Sequence, residues 1–143
     1  MVILVVDGQG GNIGSQIIKA IKEKYQNETV IAVGTNAIAS ATMLKAGAEY
    51  AATGENPLIV ACRKADVIIG PIGIVIADSM HGEITPKMAV AIAQSDTSRI
   101  LIPVNKCENQ IAGVADLSIG ALISDMIDKL GKNYRIIEAI LVS

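Results

Sequence analysis

Aromatic residues are almost missing from this chain of 143 residues. It has no tryptophan, no phenylalanine and three tyrosines. Single-stranded nucleic-acid sites use aromatic side chains to stack bases, and nucleic-acid sites in general carry a basic surface. Here 14 acidic residues face 12 basic ones, and the net charge is −2. The sequence therefore argues against nucleic acid as a partner.

Cysteine, histidine and long apolar runs are also scarce. Cys62 and Cys107 form no Cys-x-x-Cys motif, so they indicate neither a disulfide framework nor a zinc site. The richest apolar stretch, Val67 to Ala77, is too short to span a membrane and is interrupted by Gly70-Pro71. The N-terminus lacks the basic leader of a signal peptide. We expect a cytoplasmic protein without a metal site or a membrane segment.

The hydrophobic residues of this chain are almost all aliphatic. Hydrophobic residues make up 51% of the chain, mainly isoleucine, valine and alanine. This composition is typical of parallel strands that helices cover on both faces. The length is that of one domain, residues 1–143, with a core of its own.

Strand and helix patterns alternate along the chain. This alternation predicts an α/β fold, a three-layer Rossmann-like doubly wound parallel sheet of five to six strands with right-handed crossovers. Val2–Val6 is the predicted central strand. The predicted strands are Val2–Val6, Thr29–Val33, Glu49–Ala52, Asp66–Gly70, Arg99–Val104 and Tyr134–Val142. The predicted helices cover Asn12–Tyr25, a segment from Asn36 to Lys45, a segment from Asn56, Thr85–Gln94 and Ser118–Leu130.

A glycine-rich loop joins the first strand to the first helix. Backbone amides in such a loop can approach a phosphate, because glycine has no Cβ in the way. The standard Gly-x-Gly-x-x-Gly spacing is absent, since this loop is one residue longer. The alternative is a tight turn that binds nothing. The residues predicted to surround the ligand are Gly8, Gly10, Gly11, Asn12, Ile13 and Gly14.

Asp7 stands immediately before this loop. A carboxylate about 5 Å from a phosphate costs on the order of 3 kcal/mol at an effective dielectric constant near 20. Asp7 could therefore turn away, face a cation, or face a less charged part of the ligand. Alternatively, it accepts hydrogen bonds from the glycine amides and shapes the loop. We count Asp7 among the candidate binding residues.

The end of the second strand tests whether the ligand is a dinucleotide. An NAD site usually has an acidic residue there that binds the ribose hydroxyls, and an NADP site usually offers an arginine. This chain has Gly34-Thr35-Asn36 instead. Thr35 and Asn36 could contact a ribose or a phosphate, or they could only cap the second helix. NAD or NADP is thus a possible cofactor, and a phosphate-bearing small molecule is the broader prediction.

The loop from position 78 to 83 contains the single histidine. His81 lies between Asp78 and Glu83, a spacing that would suit a metal or acid–base catalysis. We predict His81 as the residue that transfers a proton and either carboxylate as its partner. Thr85 then begins a helix whose free amides could form a second anion site. The alternative is a loop of solvated polar residues.

A further candidate segment follows the fifth strand. Lys106 could contact a phosphate, and Cys107 could be a nucleophile if a neighbouring cation lowered its pKa. The alternative for Cys107 is an unreactive thiol, and Cys62 is predicted to belong to the core.

Three blocks of the sequence resemble a family of small bacterial proteins of unknown function. They are Val5-Val-Asp-Gly-Gln-Gly-Gly-Asn-Ile-Gly14, Pro71-Ile-Gly-Ile-Val-Ile-Ala-Asp-Ser-Met-His-Gly-Glu-Ile-Thr-Pro86 and Leu101-Ile-Pro-Val-Asn-Lys-Cys107. The resemblance covers nearly the whole chain and implies a Rossmann-like fold. It implies no activity and no catalytic residues.

Two functions remain open from the sequence. The first is a protein that binds a nucleotide or similar compound at the glycine loop; if it is an enzyme, an NAD(P)-linked oxidoreductase is the favoured class. The second is a non-catalytic module that senses a metabolite or binds a partner. We also expect a homodimer, because the mean hydropathy of +0.48 is high and the apolar segment Ile72–Ala77 needs cover. That segment could instead line the ligand pocket or be buried under the helix that follows it.

Overall fold

A computed structural model describes residues 1–104 and 108–143. In this part of the chain, strands and helices alternate as the sequence predicts. The strands are β1 (Val2–Asp7), β2 (Thr29–Gly34), β3 (Tyr50–Thr53), β4 (Val67–Pro71) and β5 (Ser98–Ile102). The helices are α1 (Asn12–Lys24), α2 (Ala37–Lys45), α3 (Glu55–Cys62), α4 (Pro86–Gln94) and α5 (Ile119–Val142), and a 3-10 turn covers Ile72–Val75.

The five strands form one parallel sheet in the order β3-β2-β1-β4-β5. This is the strand order of a Rossmann-type sheet. Residues 2–7 of β1 pair with residues 29–34 of β2, and residues 3–5 pair with residues 67–69 of β4. The predicted parallel sheet with a central first strand is confirmed. The order of the chain reverses between β1 and β4, and this places a crevice at their carboxyl ends.

Alternate residues of β1 enter two separate cores, because successive side chains of a strand point to opposite faces. Ile3 and Val5 pack on one face with α1, α2 and the first half of α5. Leu4 and Val6 pack on the other face with α3, the 3-10 turn and α4. All four side chains are fully buried. Burial on both faces explains why β1 is an uninterrupted aliphatic run.

The predicted final strand, Tyr134–Val142, is wrong: these residues continue α5, which the sequence predicted to end at Leu130. The aliphatic run suggested a strand, but the apolar residues also recur at helical spacing, as Leu130, Tyr134, Ile137 and Leu141. Gly131 does not end the helix, because it is buried inside it beside the Tyr25 hydroxyl.

The apolar segment at 72–77 is largely covered within the chain. Its first four residues form the 3-10 turn, and Ile74 is fully buried against Met88 and Ile92 of α4. Of the alternatives for this segment, the structure shows burial under the following helix. It therefore gives no reason to expect a second subunit at this place.

No helix among the described residues combines the length and the apolar character needed to cross a membrane.

Candidate functional site

The candidate polar residues gather at the crevice between β1 and β4. Three loops meet there: the glycine loop after β1, the segment 35–36 after β2, and the loop 76–85 between the 3-10 turn and α4. Parallel strands present their carboxyl ends at one edge, so residues distant in sequence become neighbours. The fold thus brings together most of the residues that the sequence singled out.

Asp7 is buried at the base of the glycine loop. Its Oδ1 accepts a hydrogen bond from the Gly8 amide and its Oδ2 accepts one from the Gly14 amide, each at 2.8 Å. Burial raises the pKa of the Asp7 carboxyl and the nearby charge of Glu83 raises it further, against the lowering effect of these amides. Of the alternatives for Asp7, the structure shows a carboxylate that shapes the loop.

Close packing explains why positions 11 and 14 are glycines: neighbouring atoms leave no room for a Cβ. Gly11 precedes α1 with a φ of 77°, and a Cβ on it would lie 2.9 Å from the Ala39 backbone. A Cβ on Gly14 would lie 2.5 Å from the Met43 sulfur. A valine at position 11 would collide with α2, so Gly11→Val would disturb the fold and could not serve as a test of ligand binding.

Two amides of the glycine loop are available to a ligand. Those of Gly10 and Asn12 form no hydrogen bond with the described residues, and both residues are exposed. A Cβ on Gly10 would have only the Asn12 side-chain amide within 4 Å, at 3.9 Å. Asn12 is the first residue of α1, where the helix dipole favours negative charge. The open side of the loop is therefore at Gly10 and Asn12.

Glu83 joins the three loops through one oxygen atom. Its Oε1 accepts hydrogen bonds from the Gln9 amide at 2.9 Å, the Thr35 hydroxyl at 2.7 Å and the Asn36 side-chain amide at 2.7 Å. Partial burial raises the pKa of Glu83, but these donors and the charge of His81 outweigh it, and the pKa is lowered. Glu83 therefore carries its negative charge at neutral pH. Sequence reasoning placed Glu83 in the site but missed this role, since no local pattern relates position 83 to positions 9 and 35.

Thr35 and Asn36 serve both the helix and the crevice. The side-chain Oδ1 of Asn36 accepts a hydrogen bond from the Ala39 amide at 2.9 Å, which caps α2 as the sequence predicts. Its amide nitrogen also donates to the Gln9 carbonyl oxygen at 2.9 Å. Capping alone therefore does not describe Asn36, because it also holds the glycine loop and Glu83 in place.

The loop that carries Glu83 has a strained backbone. Asp78, Met80 and His81 have φ values of 65°, 56° and 56°, in the left-handed region that disfavours most side chains. Each such residue costs on the order of 1–3 kcal/mol. The loop holds this shape by burying Ser79, whose hydroxyl donates to the Gly73 carbonyl oxygen, and Met80. Met80 extends toward the glycine loop, since a Cβ on Gly8 would lie 2.8 Å from its sulfur.

His81 and Asp78 are exposed on this loop. The charge of His81 acts on Glu83, whose pKa it helps to lower. Glu83, one of the two carboxylates predicted as partners, thus has an electrostatic link to His81. Proton transfer by His81 stays a prediction. Lys106 and Cys107, the other candidates for chemistry, lie outside the described residues.

Two further features bear on where the site lies. A surface cavity of about 550 Å³ is lined by residues of α3 and α4 and by the turn before β5, including Cys62 and Asp96. It lies at the amino ends of the strands, and burial raises the pKa of its Cys62 thiol, so that thiol is a poor nucleophile. Within the described residues, no group of three His, Cys, Asp or Glu side chains could hold a metal. We therefore place the candidate site at the carboxyl edge.

The fold and the site together define a class. This is an α/β protein of Rossmann-like strand order whose polar side chains converge at the switch point of the sheet. Residues 2–135 match a family described as a domain of unknown function, DUF3842. The chain belongs to this family, which covers all five strands. No curated protein matches it.

Among solved structures, the chain is similar to a dodecameric FMN-dependent UbiX-like decarboxylase from Escherichia coli O157:H7. The two are 17% identical with a TM-score of 0.46, over 92% of this chain and 76% of the other. The family has no described function, and a similarity this distant assigns none. Neither comparison therefore shows that this chain binds NAD or NADP.

Replacing Glu83 by glutamine tests the junction of the loops. We expect Glu83→Gln to lower the free energy of unfolding by roughly 1 kcal/mol at pH 7, because a neutral acceptor replaces a charged one. The folded-state pKa of Glu83 is lowered, so its stabilisation is present above the ordinary glutamate pKa and is lost as the pH falls through the folded value. The difference between the variant and the parent should therefore shrink on acidification below about pH 4.3.

The measurement is urea unfolding between pH 3 and pH 8. Asp96→Asn, which removes one exposed carboxylate at the opposite edge, is the matched control and should show little difference at any pH. If the difference in free energy of unfolding between Glu83→Gln and the parent did not change with pH, the charge of Glu83 would not be what stabilises the junction.

Proposed function

We propose that this protein binds a phosphate-bearing small molecule at the carboxyl edge of its sheet, between the glycine loop and the loop 76–85. The observation that carries the proposal is that the amides of two exposed residues beside the switch point, Gly10 and Asn12, form no hydrogen bond with the described residues. Ligands of open α/β sheets bind at this position, and a phosphate at a helix N-terminus gains from both the free amides and the helix dipole.

Charge decides which part of the ligand lies where. Asp7 and Glu83 make the base of the crevice negative, and each is held by amide or hydroxyl donors. A phosphate next to either carboxylate would be repelled by several kcal/mol unless it were well solvated. The phosphate therefore belongs on the outer side of the loop, and the uncharged part of the ligand belongs over Glu83.

An enzymatic role is the narrower form of this proposal. An NAD(P)-linked oxidoreductase would use His81 for proton transfer with Glu83 or Asp78, and Lys106 as a further anion contact. The alternative is a module that binds a metabolite without turning it over. The hydrogen bonds among the loops support the second role, because the partly buried Thr35 and Asn36 side chains both donate to Oε1 of Glu83 and hold the loops together. Turnover assays with the ligands that bind will separate the two.

Replacing Gly10 by valine tests the anion site. Gly10 has open space around its Cβ position and a φ outside the left-handed region, so the fold should tolerate the change. The branched side chain would cover the two free amides. We expect the dissociation constant for a bound nucleotide to rise at least about tenfold, by the loss of hydrogen bonds to a charged group.

The measurement is calorimetric titration, after a thermal-shift screen with pyrophosphate, mononucleotides including FMN, and dinucleotides. Gly120→Val is the matched control, because a Cβ at position 120 would have no atom within 4 Å, and Gly120, near the start of α5, lines a groove with Glu23 and Lys24 at the end of α1 opposite the crevice. Equal affinity of Gly10→Val and the parent would mean that the loop is only a turn.

We further propose that the protein forms a homodimer, through α5 rather than through the apolar segment at 72–77. Beyond Gly131, Tyr134 stacks on Tyr25, and the aliphatic side chains toward the end of α5 are largely exposed in the described chain. Ile140, Leu141 and Val142 are 67%, 81% and 86% exposed, and Ile136 is 60% exposed. Ile136, Ile140 and Leu141 share one side of the helix and together present on the order of 400 Å² of apolar surface, the scale of an interaction patch. Two copies paired about a twofold axis would cover it.

Ile140→Lys should convert this dimer into a monomer, because pairing would bury the new charge without a partner. Light scattering at tens of micromolar should give twice the monomer mass of 14.9 kDa for the parent and the monomer mass for the variant. Ile38→Lys changes an isoleucine of α2 that is 70% exposed and should leave the dimer intact. A parent protein that is monomeric at this concentration would contradict the proposal.

A further inference from the structure

The end of β2 lacks the acidic residue that binds ribose hydroxyls in NAD sites. Positions 34–36 are Gly34-Thr35-Asn36. The side chains of Thr35 and Asn36 are uncharged, so neither accepts a hydrogen bond as strongly as a carboxylate does. Yet the structure places a carboxylate at this position, supplied by a different loop. Oε1 of Glu83 lies 2.7 Å from the Thr35 hydroxyl and 2.7 Å from the Asn36 amide nitrogen.

We infer that Glu83 takes the place of the missing acid at the end of β2 and selects a ligand with a ribose whose 2′-hydroxyl is free. This inference rests on the proposed function, and it names the class of ligand: a nucleoside phosphate with an unmodified ribose, not a 2′-phosphorylated or sugar-free compound.

The arrangement of the two Glu83 oxygens supports this role. All three hydrogen bonds from the protein are made to Oε1, and Oε2 accepts none from the described residues. One oxygen therefore anchors the side chain and the other is available to a ligand. Because Gln9, Thr35 and Asn36 hold the anchored oxygen, the free oxygen is fixed in place before a ligand arrives, which reduces the entropy lost on binding.

The neighbouring charges favour a hydroxyl over a phosphate at this oxygen. Asp7, at the end of β1, lies close enough to Glu83 for the charge of Glu83 to raise its pKa. The electrostatic interaction with His81 helps to lower the pKa of Glu83. A ribose hydroxyl can donate a hydrogen bond to the carboxylate, whereas a second phosphate would be repelled by it. Specificity here would arise from this repulsion as well as from the hydrogen bond.

The position also agrees with the geometry of the glycine loop. The Gln9 amide, which donates to Glu83, precedes Gly10, whose amide is free. A ligand that has its phosphate at Gly10 and Asn12 would thus present its sugar toward Glu83. The order phosphate, sugar and base along the crevice runs from the start of α1 toward the end of β2, as in other Rossmann-type sites.

The test compares AMP, 2′-deoxy-AMP, adenosine 2′,5′-bisphosphate and pyrophosphate by calorimetric titration against the parent, Glu83→Gln and Asp96→Asn. We expect the parent and Asp96→Asn to prefer AMP to each 2′-modified nucleotide by about tenfold or more, the scale of one hydrogen bond to a charged group. In Glu83→Gln the preference over the 2′-phosphorylated compound should fall by about tenfold, while the affinity for pyrophosphate should be unchanged.

Thr35→Val separates the carboxylate from its support. This variant removes one donor to the anchored oxygen but keeps the negative charge, so it should weaken AMP binding and still discriminate against the 2′-phosphate. If it lost discrimination as fully as Glu83→Gln, the effect would come from a loosened loop, and the inference would be overturned.

Failure of this inference is distinguishable from failure of the proposed function. A parent protein that binds AMP and adenosine 2′,5′-bisphosphate equally well would overturn the role of Glu83 and leave phosphate binding standing. A parent protein that binds none of the four compounds would overturn both.

Discussion

The carboxylate of Glu83 is the interaction on which the rest of the site depends. Through one oxygen it connects the loop after β1, the loop after β2 and the loop before α4. Without an acceptor at this point, the Thr35 hydroxyl and the Asn36 amide would lose a partner, and the strained loop 76–85 would lose a hydrogen-bonded attachment to the rest of the carboxyl edge. Backbone strain of this kind persists only where surrounding contacts fix it.

A second buried carboxylate organises the other side of the crevice. Asp7 satisfies two amides of the glycine loop, including one in the first turn of α1, and its burial raises its pKa. The two carboxylates thus have different roles. Asp7 fixes the shape of the glycine loop, and Glu83 connects that loop to the segment after β2 and to the loop before α4. Neither of them accepts a hydrogen bond from the amides of Gly10 and Asn12.

Much of the fold follows from periodicity and turn chemistry that are visible in the sequence. The aliphatic run of β1, the proline and threonine at the start of α4, and Asn36 before α2 all predict the elements that they form. The second half of α5 does not follow as simply, since its aliphatic run satisfies a strand pattern and a helix pattern at once. The helix continues through Gly131, which is buried next to the Tyr25 hydroxyl.

The site is less predictable than the fold for a physical reason. The types of residue were evident, because Glu83 and Thr35 stand at predicted loop positions. Their hydrogen bond spans 48 positions in the sequence, and only the strand order brings them together. The steric need for a glycine at position 11 could not be predicted for the same reason, since the residue that requires it, Ala39, belongs to another helix.

The central claim is that a phosphate-bearing ligand lies against the open amides of the glycine loop, beside Glu83. The most direct measurement is a titration of the ¹⁵N-labelled protein with AMP, followed by amide chemical shifts. The account predicts that the largest changes occur at Gly10 and Asn12, with smaller ones at Gln9 and Glu83. Changes that leave Gly10 and Asn12 unaffected and fall instead at the start of α4, or around the cavity at the amino edge of the sheet, would contradict it.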